Sequence, residues 1–423
     1  MKTVKIIPNA FKGKIKVPSS KSFCHRSIIC SSLAKGRSEI KNIYFSRDIA
    51  ATIEAMRSLG AKIEVYKDSV IVNGADRITL KNDSIFCGES GSTIRFIIPI
   101  IATLGKKAVL SGQGKLIERP LDVYYKIFEE QGIYYKNSDG KLPLEINGKL
   151  KPGKYMIRGD ISSQFITGLL FALPLLKDDS QIEITTTLES KPYVDMTLDI
   201  IRKFGIIVEN IDYKKFIIPG NQSYKSFNYT VEADFSQAAF LLAMGLLGER
   251  VSCEGMNINS CQGDRVIVDL LKKMGADIKI EGDSIISTKS QTKGIVIDAS
   301  QCPDLVPIIA AVASVSCGTT EIINAARLRI KESDRLTAIS SQLNKIGASV
   351  YEKSDGLVIK GKKSLEGGEV SSFNDHRIAM SLAAVSSMCK NALIINGADC
   401  VNKSYPDFWR DFVSLGGNIE ELK

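Results

Sequence analysis

One stretch of the sequence decides the fold, and it reads Ala50-Ala-Thr-Ile-Glu-Ala-Met-Arg-Ser-Leu-Gly60-Ala-Lys-Ile-Glu-Val65. Its first part has the apolar spacing of a helix with one buried face, and its last part alternates as a strand does. Gly60 separates them, because glycine adopts without steric cost the left-handed backbone conformation that commonly ends a helix. The stretch predicts an amphipathic helix, a glycine stop and a strand.

The same pattern recurs along the whole chain, at intervals of about 70 residues. The other copies lie at residues 123–135, 196–208, 266–280, 336–350 and 408–419, with glycines at Gly132, Gly205, Gly275, Gly347 and Gly416. Such a period indicates one structural unit that is used six times.

A second kind of helix lies between successive copies and is apolar nearly all round, as is typical of a buried helix. The six polar openings of these helices read Ser19-Ser-Lys-Ser22, Ser90-Gly-Ser-Thr93, Ser162-Ser-Gln164, Asp234-Phe-Ser-Gln237, Pro303-Asp304 and Asn374-Asp-His-Arg377. Ser, Asp and Asn are common helix N-caps, and the N–H groups at a buried helix start attract anions. The openings therefore predict an anion site. Pro99 and Pro174 are expected to kink two of these helices.

Each unit reads as a strand, a buried helix, a strand, a surface helix and two strands. This is a mixed α/β (α+β) module of βαβαββ order, and six modules divide naturally into two domains of three. The polar stretch 221–230 is the predicted linker. The opening strand at residues 4–7 is expected to complete a sheet with the C-terminal modules.

Composition narrows the class of protein. The 423 residues are 44% apolar and 24% charged, which predicts a folded globular chain without a signal peptide. No apolar run reaches the roughly 18 residues of a membrane span, and nine scattered cysteines suit a reducing cytoplasmic location. Two histidines without a Cys/His cluster argue against a metal site. A net charge of +9 without nucleic-acid motifs favours small anionic substrates over nucleic acid.

The turn before each surface helix carries a cation beside a carboxylate or a proline. These turns read Arg47-Asp48, Arg119-Pro-Leu-Asp122, Lys191-Pro-Tyr-Val-Asp195, Asp264-Arg265, Lys331-Glu-Ser-Asp-Arg335 and Lys403-Ser-Tyr-Pro-Asp407. For Asp48, Asp195, Asp264 and Asp407, helix capping beside a solvated cation is the simplest prediction.

Nine motifs in order, in phase with the repeat, make the chain resemble the 5-enolpyruvylshikimate-3-phosphate synthases, a family of enolpyruvyl transferases, from Lys14 to Phe412. They are Lys21-Ser22 with Arg26, Gly91 with Arg95, Arg119-Pro120, Ser162-Ser-Gln-Phe165, Ser190-Lys-Pro-Tyr193, Pro303-Asp304, Lys331-Glu-Ser-Asp-Arg335, Asn374-Asp-His-Arg377 and Lys403-Ser-Tyr-Pro406. The resemblance implies an inside-out α/β barrel in each of two domains, residues 19–231 and residues 1–18 with 232–423. Their parallel helices would be buried, with the active site in the cleft between the domains.

The resemblance also implies the reaction and its site. The enolpyruvyl group of phosphoenolpyruvate would pass to the 5-hydroxyl of shikimate 3-phosphate with release of phosphate. This step leads to chorismate and aromatic amino acids and is the target of glyphosate. A monomer without metal or organic cofactor is implied. The shikimate 3-phosphate ligands would be Lys21, Ser22, Arg26, Ser162, Ser163, Gln164, Ser190, Tyr193, Asp304 and Lys331. The phosphoenolpyruvate ligands would be Lys21, Gly91, Arg119, Gln164, Arg335, Arg377 and Lys403.

Family position also gives roles in proton transfer. Asp304 would take the hydroxyl proton, while Glu332 and Lys21 would handle protonation at the enolpyruvyl carbon. His376 is a proton relay or a packed side chain, and Tyr193 is a neighbour of the substrate ring or plain core. Gly91 gives the substrate room or allows a tight helix entry.

Two departures from the family pattern stand out. The segment Glu89-Ser90-Gly91 replaces an Asn-Ala-Gly common in the family, which bears on the shape of the phosphoenolpyruvate pocket and on glyphosate sensitivity. Arg327 stands where many members have Asn, and it would contact shikimate 3-phosphate or point to solvent.

Two other functions compete with this interpretation. A UDP-N-acetylglucosamine 1-carboxyvinyltransferase would share the fold, but it typically has a reactive cysteine in the loop that here spans residues 111–119 and lacks one. An RNA-phosphate cyclase-like protein would use the positive charge, but neither a nucleotide site nor an aromatic stacking platform is visible.

Overall fold

The computed structural model describes residues 2–75 and 78–422. In these ranges the α-helices are α1 Lys21–Leu33, α2 Arg47–Ser58, α3 Gly91–Ala102, α4 Asp122–Gln131, α5 Ser163–Ala172, α6 Lys191–Lys203, α7 Phe235–Leu247, α8 Ile267–Lys273, α9 Val306–Ala313, α10 Arg335–Lys345, α11 His376–Val385 and α12 Phe408–Ser414. Odd-numbered helices are the buried kind and even-numbered helices the surface kind.

The strands alternate with these helices along the chain. They are β1 Thr3–Ile7, β2 Lys12–Lys16, β3 Gly36–Lys41, β4 Lys62–Val65, β5 Ser69–Gly74, β6 Ser84–Phe86, β7 Ala108–Ser111, β8 Tyr134–Ser138, β9 Lys141–Asn147, β10 Lys154–Ile157, β11 Ser180–Ile184, β12 Glu209–Ile211, β13 Lys215–Ile218, β14 Tyr229–Thr230, β15 Arg250–Glu254, β16 Asp277–Glu281, β17 Ser284–Thr288, β18 Val296–Asp298, β19 Thr319–Ile323, β20 Ser349–Lys353, β21 Gly356–Lys360, β22 Gly368–Ser371, β23 Leu393–Asn396 and β24 Asn418–Leu422.

Each module forms its own four-stranded mixed sheet. In the second module the order is β6-β7-β9-β8, where β6 and β7 are parallel and the other pairs are antiparallel. The parallel pair needs a long crossover, and α3 supplies it. The sheets β10-β11-β13-β12 and β18-β19-β21-β20 repeat this order. The predicted α/β class and the βαβαββ module are confirmed.

Three modules are completed by strands from elsewhere in the chain. Strand β1 pairs antiparallel with β23 and β24, which confirms the prediction for the opening strand. Strand β2 pairs parallel with β15, and β14 pairs parallel with β3. These two pairings were not predicted, because β2 is rich in lysine and glycine and β14 is very short.

The chain divides into two compact units. The contiguous unit runs from Lys21 to Val231, and the split unit combines the residues up to Ser20 with those from Glu232 onward. The split arises because β1 and β2 supply strands to the modules of α11 and α7.

The core of the contiguous unit lies where α1, α3 and α5 meet. Helix α3 packs along α5, and the ring of Phe96 on α3 lies against Phe171 on α5 with centroids 5.6 Å apart. Both rings are about 1% exposed or less. Each such side chain contributes roughly 1.5–3 kcal/mol through burial. In the split unit α11 packs in the same way against α7 and α9.

The glycine stops behave as predicted. The six glycines that follow the surface helices all have positive φ, from 66° at Gly132 to 101° at Gly60. Pro99 lies inside α3, which continues to Ala102, and the kink expected there stays a prediction. The prediction of a kink at Pro174 is wrong. Helix α5 ends at Ala172 and Pro174 lies in a separate 3₁₀ turn. A proline cannot donate the next helical hydrogen bond, so it ends this helix instead of bending it.

The predicted linker, residues 221–230, lies directly before the boundary between the units at Val231 and Glu232, but it is packed onto the contiguous unit. Tyr224 is 2% exposed, and its hydroxyl donates a 3.0 Å hydrogen bond to the carbonyl of Phe171. The segment then ends in β14, which pairs with β3. Although the segment is mostly polar, its buried tyrosine fixes it to the contiguous unit.

No helix within residues 2–75 and 78–422 is long and apolar enough to cross a membrane.

Candidate active site

Gly91 and Arg119, both assigned to phosphoenolpyruvate by resemblance, lie against each other. Gly91 is the first residue of α3, and a β-carbon built on it would lie 2.4 Å from Nη1 of Arg119. Real β-carbons do not approach other atoms so closely, so a larger residue here would force this guanidinium to move. The sequence offered two reasons for this glycine, room for the substrate or a tight helix entry. The structure adds a third, which is space for Arg119 at the start of a buried helix.

The starts of α3 and α5 are joined by Gln164. Its Oε1 accepts a 2.8 Å bond from Nη1 of Arg95, and its Nε2 donates a 2.9 Å bond to the hydroxyl of Ser92. Arg95 is 2% exposed, lies over the ring of Phe165 at 4.9 Å and also donates to the carbonyl of Pro120. The amide of Gln164 is therefore held in one orientation. From the sequence, Arg95 was placed only in a motif with Gly91, and its position three residues after Ser92 was the available signal.

Lys21, the first residue of α1, forms an ion pair with Asp48 in the first turn of α2. Lys21 Nζ lies 2.8 Å from Asp48 Oδ2, with 20% and 7% of the two side chains exposed. The pair places an ammonium group at the N-terminal end of a buried helix, where the helix dipole already favours an anion. Ser22 follows on the same turn and is half-buried.

Arg26 is buried and extensively bonded to the protein. Its Nε donates to the hydroxyl of Thr197 at 2.9 Å, and its Nη atoms donate to the carbonyls of Ser22 and Tyr193, each at 2.9 Å. Its guanidinium lies 5.2 Å from the ring of Phe96. In this structure Arg26 therefore fixes the backbone at two other predicted ligands, and its own contact with a substrate stays a prediction.

The serines predicted to bind shikimate 3-phosphate lie at two helix starts. Ser162 caps α5 by accepting from the backbone N–H of Gln164, and Ser163 is buried beside it. Ser190 has φ 54°, ψ 42° and makes no side-chain cap bond to α6. A non-glycine residue in this conformation stores strain, as is frequent at functional sites. Tyr193 is half-buried, and its role beside the substrate ring stays a prediction.

A chain of buried hydrogen bonds runs behind this site. Nδ1 of His25 lies 2.7 Å from the hydroxyl of Thr52, which lies 2.7 Å from that of Thr93. Thr93 in turn donates a 2.8 Å bond to Ser90, the cap of α3. The pKa of His25 is lowered to about 3, mainly by burial. Asp48 opposes this effect, and Lys21 and Arg26 act in the same direction as burial. His25 is therefore neutral and orients the cap of α3.

Asp304 is the centre of the split unit's cluster. It lies in a 3₁₀ turn before α9, where Oδ1 accepts a 2.9 Å bond from Arg335 and Oδ2 a 3.0 Å bond from Arg377. Lys331 Nζ lies 3.6 Å from Oδ1. The structure thus brings together four residues that the sequence places up to 73 positions apart.

Glu332 and Asp375 complete the cluster around Arg335. Nη2 of Arg335 donates a 2.7 Å bond to Glu332, and Nε donates a 2.8 Å bond to Asp375. Arg335 is 1% exposed and Asp375 is fully buried. Asp375 also caps α11 by accepting from the N–H of Arg377. Asp375 was quoted in a motif but given no role, although an aspartate at a helix start was the signal for this one.

These charges fix the protonation states. Burial alone would raise the pKa of Asp304, but Arg377, Lys331 and Arg335 together hold it well below its usual range. Burial lowers the pKa of Lys331 to about 8, with Asp304 opposing that effect. Burial acts in the same direction on Arg335, yet Asp375, Glu332 and Asp304 raise its pKa. Asp304 is therefore ionised. The pKa of Lys331 lies closer to neutral pH than is usual for a lysine.

Three further predicted residues have different surroundings. Arg327 is 8% exposed and donates a 2.7 Å bond to the carbonyl of Ser300, so the alternative that it points to solvent is wrong. His376 is 1% exposed, with Nδ1 3.8 Å from a carboxylate oxygen of Asp375. Lys403 is 8% exposed at the end of a 3₁₀ turn, and the next residue, Ser404, accepts a 2.8 Å bond from Gln237 on α7.

The capping prediction for the four turn aspartates is wrong. Asp48 bonds Lys21 while Ser46 caps α2, and Asp195 lies inside α6 and accepts from the hydroxyl of Tyr213 at 2.8 Å. Asp264 accepts from Ser236, and Asp407 makes no cap bond to α12. Asp48, Asp195 and Asp264 find partners on other elements that sequence spacing does not reveal. Asp407 instead pairs with Arg410 three residues later, at 3.0 Å.

Comparison with known proteins places this geometry in a family. Residues 6–412 match the model of EPSP synthase (3-phosphoshikimate 1-carboxyvinyltransferase). The chain belongs to the EPSP synthase family. A 3-phosphoshikimate 1-carboxyvinyltransferase of Clostridium kluyveri is 59% identical over 421 residues, covering 100% of this chain and 99% of that protein. One of Clostridioides difficile is 49% identical, again covering 100% of this chain and 99% of that protein.

A solved structure agrees with the family assignment. The EPSP synthase of Acinetobacter baumannii superposes with a TM-score of 0.84 at 27% identity and covers 100% of both chains. The predicted EPSP synthase family and its fold are therefore confirmed. Among the residues that the structure describes, no group of three or more His, Cys, Asp or Glu is arranged to hold a metal ion.

Proposed function

We propose that the protein is a 3-phosphoshikimate 1-carboxyvinyltransferase that moves the enolpyruvyl group of phosphoenolpyruvate to the 5-hydroxyl of shikimate 3-phosphate and releases phosphate. The observation that carries this proposal is membership of the EPSP synthase family over residues 6–412, with cations at the helix starts of both units. The product would feed chorismate and aromatic amino acid synthesis.

The charges support anionic substrates. The two substrates carry two phosphates and two carboxylates, about −5 to −6 in total. The proposed cationic ligands are Lys21, Arg26, Arg119, Lys331, Arg335, Arg377 and Lys403. Four of them are arginines, whose planar guanidinium groups bind phosphate and carboxylate with two parallel hydrogen bonds.

The remaining proposed ligands are neutral donors and acceptors. Ser22, Ser162, Ser163, Gln164, Ser190 and Tyr193 would bind the hydroxyls and phosphate of shikimate 3-phosphate, and Gly91 with Gln164 would contact phosphoenolpyruvate. Gln164 is already fixed by Arg95 and Ser92, so it loses little side-chain entropy when it binds. Arg327 and His376 are proposed as neighbours of the site.

Asp304 is proposed to accept the proton of the attacking hydroxyl. Its two carboxylate oxygens are held by Arg335 and Arg377, which are also the proposed phosphoenolpyruvate ligands. An anionic substrate bound by the same guanidinium groups would partly neutralise their positive charge at Asp304. Its pKa then rises, and the carboxylate becomes a stronger base. Binding of the donor would thus activate the base for the acceptor.

Glu332 and Lys21 are proposed to add and later remove the proton at the methylene carbon. Protonation there makes the neighbouring carbon open to attack by the hydroxyl oxygen. Loss of a proton from the resulting methyl group with departure of phosphate then restores the double bond. Arg335 donates a hydrogen bond to Glu332 and is also a proposed phosphoenolpyruvate ligand. One arginine would therefore position both the proton donor and the anionic substrate.

Two properties of the whole protein are also proposed. All nine cysteines are free, which fits a reducing cytoplasm. We expect a monomer, since six modules in one chain supply internally the packing that subunits would otherwise provide. Light scattering of the purified protein tests this, and a dimer mass would contradict it.

The decisive experiment is an assay of phosphate release. We expect release from phosphoenolpyruvate with shikimate 3-phosphate and none with UDP-N-acetylglucosamine as the acceptor. Release only with the sugar nucleotide would contradict the proposal. Asp304→Ala should lower kcat at least about 100-fold, since a general base contributes about 10²- to 10⁴-fold. Wild-type turnover in this variant would exclude Asp304 as the base.

A further inference from the structure

One buried carboxyl group near the split unit's cluster has no part in this mechanism. Asp264 lies in the 3₁₀ turn Gly263–Val266 and is 2% exposed. The hydroxyl of Ser236, at the start of α7, donates a hydrogen bond to its Oδ2. Its Oδ1 is buried and has no hydrogen-bond partner among the residues that the structure describes.

This geometry does not suit an ionised carboxylate. A carboxylate offers about four acceptor sites, and a buried one is stable only when donors or cations fill them. Asp264 receives one hydroxyl donor. A protonated carboxyl needs less, because only one oxygen then acts mainly as an acceptor and the charge is gone.

The equivalent aspartates of other modules show the contrast. In the first module Asp48 has the ammonium group of Lys21 at 2.8 Å, which stabilises its charge. In the third module Asp195 has the hydroxyl of Tyr213 at 2.8 Å and is only half-buried. Asp264 combines deep burial with a single neutral donor.

The charged groups that act on Asp264 come from several elements. Its pKa is raised to about 7, mainly by burial and also by the charges of Asp304 and of Asp234 at the cap of α7. Arg377 on α11 and the hydroxyl of Ser236 act in the opposite direction.

We propose that Asp264 is a positioning residue that acts in its protonated form, so that Asp304 and not Asp264 carries the negative charge of this pair. This inference rests on the proposed function for its role in catalysis. Ionisation of Asp264 would place a second negative charge near Asp304 and Arg377. That charge would weaken the binding of an anionic substrate by Arg377 and would disturb the protonation state of the base.

The test is the pH dependence of kcat/KM for phosphoenolpyruvate. In the wild type we expect kcat/KM to fall above about pH 7, by up to about tenfold for each pH unit, as Asp264 ionises. Asp264→Asn is neutral at every pH and should lose this decline between about pH 7 and pH 8, above which Lys331 loses its proton in both proteins. Dividing kcat/KM of the variant by kcat/KM of the wild type at each pH cancels the effect of the titration of the substrates themselves.

Two further variants make the test specific. Ser236→Ala removes the donor that favours the ionised form, so the decline should move to higher pH. Asp195→Asn removes an equivalent aspartate from the contiguous unit and should keep the wild-type profile. Circular dichroism and thermal unfolding of each variant verify that it is folded.

A second readout does not depend on activity. In protein with ¹³C-labelled aspartate carboxyl groups, we expect one NMR signal that titrates near pH 7, is absent from Asp264→Asn and moves to higher pH in Ser236→Ala. The inference is overturned if no such signal exists, or if the asparagine variant keeps the decline in kcat/KM. Failure to release phosphate with shikimate 3-phosphate at any pH would instead refute the proposed function, while the NMR signal would still report the state of Asp264.

Discussion

Replacement of His25 by asparagine should remove a pH dependence from the stability of the fold. His25 is 1% exposed, and its pKa is lowered by burial to about 3. In an unfolded chain a histidine titrates at about 6.5. Between these values the unfolded chain binds a proton that the folded protein does not bind. Stability is therefore complete above about pH 6.5 and falls as the pH drops below it.

The size of the effect follows from the two pKa values. One group in this range changes the free energy of unfolding by about 1.36 kcal/mol per pH unit. From pH 7 to pH 5 the wild type should therefore lose about 2 kcal/mol through His25 alone. Asparagine can keep a hydrogen bond to Thr52 and does not titrate. The variant is expected to be less stable at pH 7, because the ring packs against Phe96, but it should lack this loss.

Two measurements check the prediction. Urea unfolding of both proteins at pH 7 and pH 5 gives the difference in pH dependence, in which all other groups cancel. The chain contains two histidines, so NMR of ¹³C-labelled histidine shows two ring signals, and the variant identifies that of His25. That signal should not move down to about pH 4. A midpoint near pH 6, or an equal loss of stability in both proteins, would refute the reasoning.

Three other substitutions have defined outcomes. Gly91→Ala puts a methyl group on the guanidinium of Arg119, so steady-state assays should show a KM for phosphoenolpyruvate raised at least about tenfold, with a smaller change in KM for shikimate 3-phosphate. An unchanged KM would contradict the role of Arg119. Asp375→Ala leaves Arg335 without one buried counter-charge and should cost about 3–5 kcal/mol in urea unfolding. Tyr224→Phe should cost about 1–2 kcal/mol, and no loss would show that its hydrogen bond does not fix residues 221–230.

Sequence reasoning succeeded where the signal is local. The six helix-and-glycine copies, the caps Ser90, Ser162, Asp234 and Asp375, and the opening strand could all be predicted. Each depends on residue types within a few positions of one another, or on apolar periodicity along one element. The family motifs added the reaction and the candidate residues, because they occur in order along the repeat.

The prediction failed where partners come from distant parts of the chain. Three of the four turn aspartates, Asp48, Asp195 and Asp264, had the composition of helix caps but bond Lys21, Tyr213 and Ser236. The strands β2 and β14 have little strand character and form because a parallel neighbour, β15 or β3, has an open edge. Composition alone could not reveal either result.

The sequence by itself determined the repeating module, the ends of its surface helices and the family to which the chain belongs. These are properties of short segments, since backbone preferences and apolar spacing act within one or two helical turns. Only the tertiary structure decided the state of each charge. Asp48, Asp264 and Asp304 are all aspartates at turns, yet one is ion-paired, one is buried with a single hydroxyl donor and one is surrounded by three cations. The physical reason is that a pKa depends on burial and on charges within a few ångströms, and packing brings those charges from residues far away in the sequence.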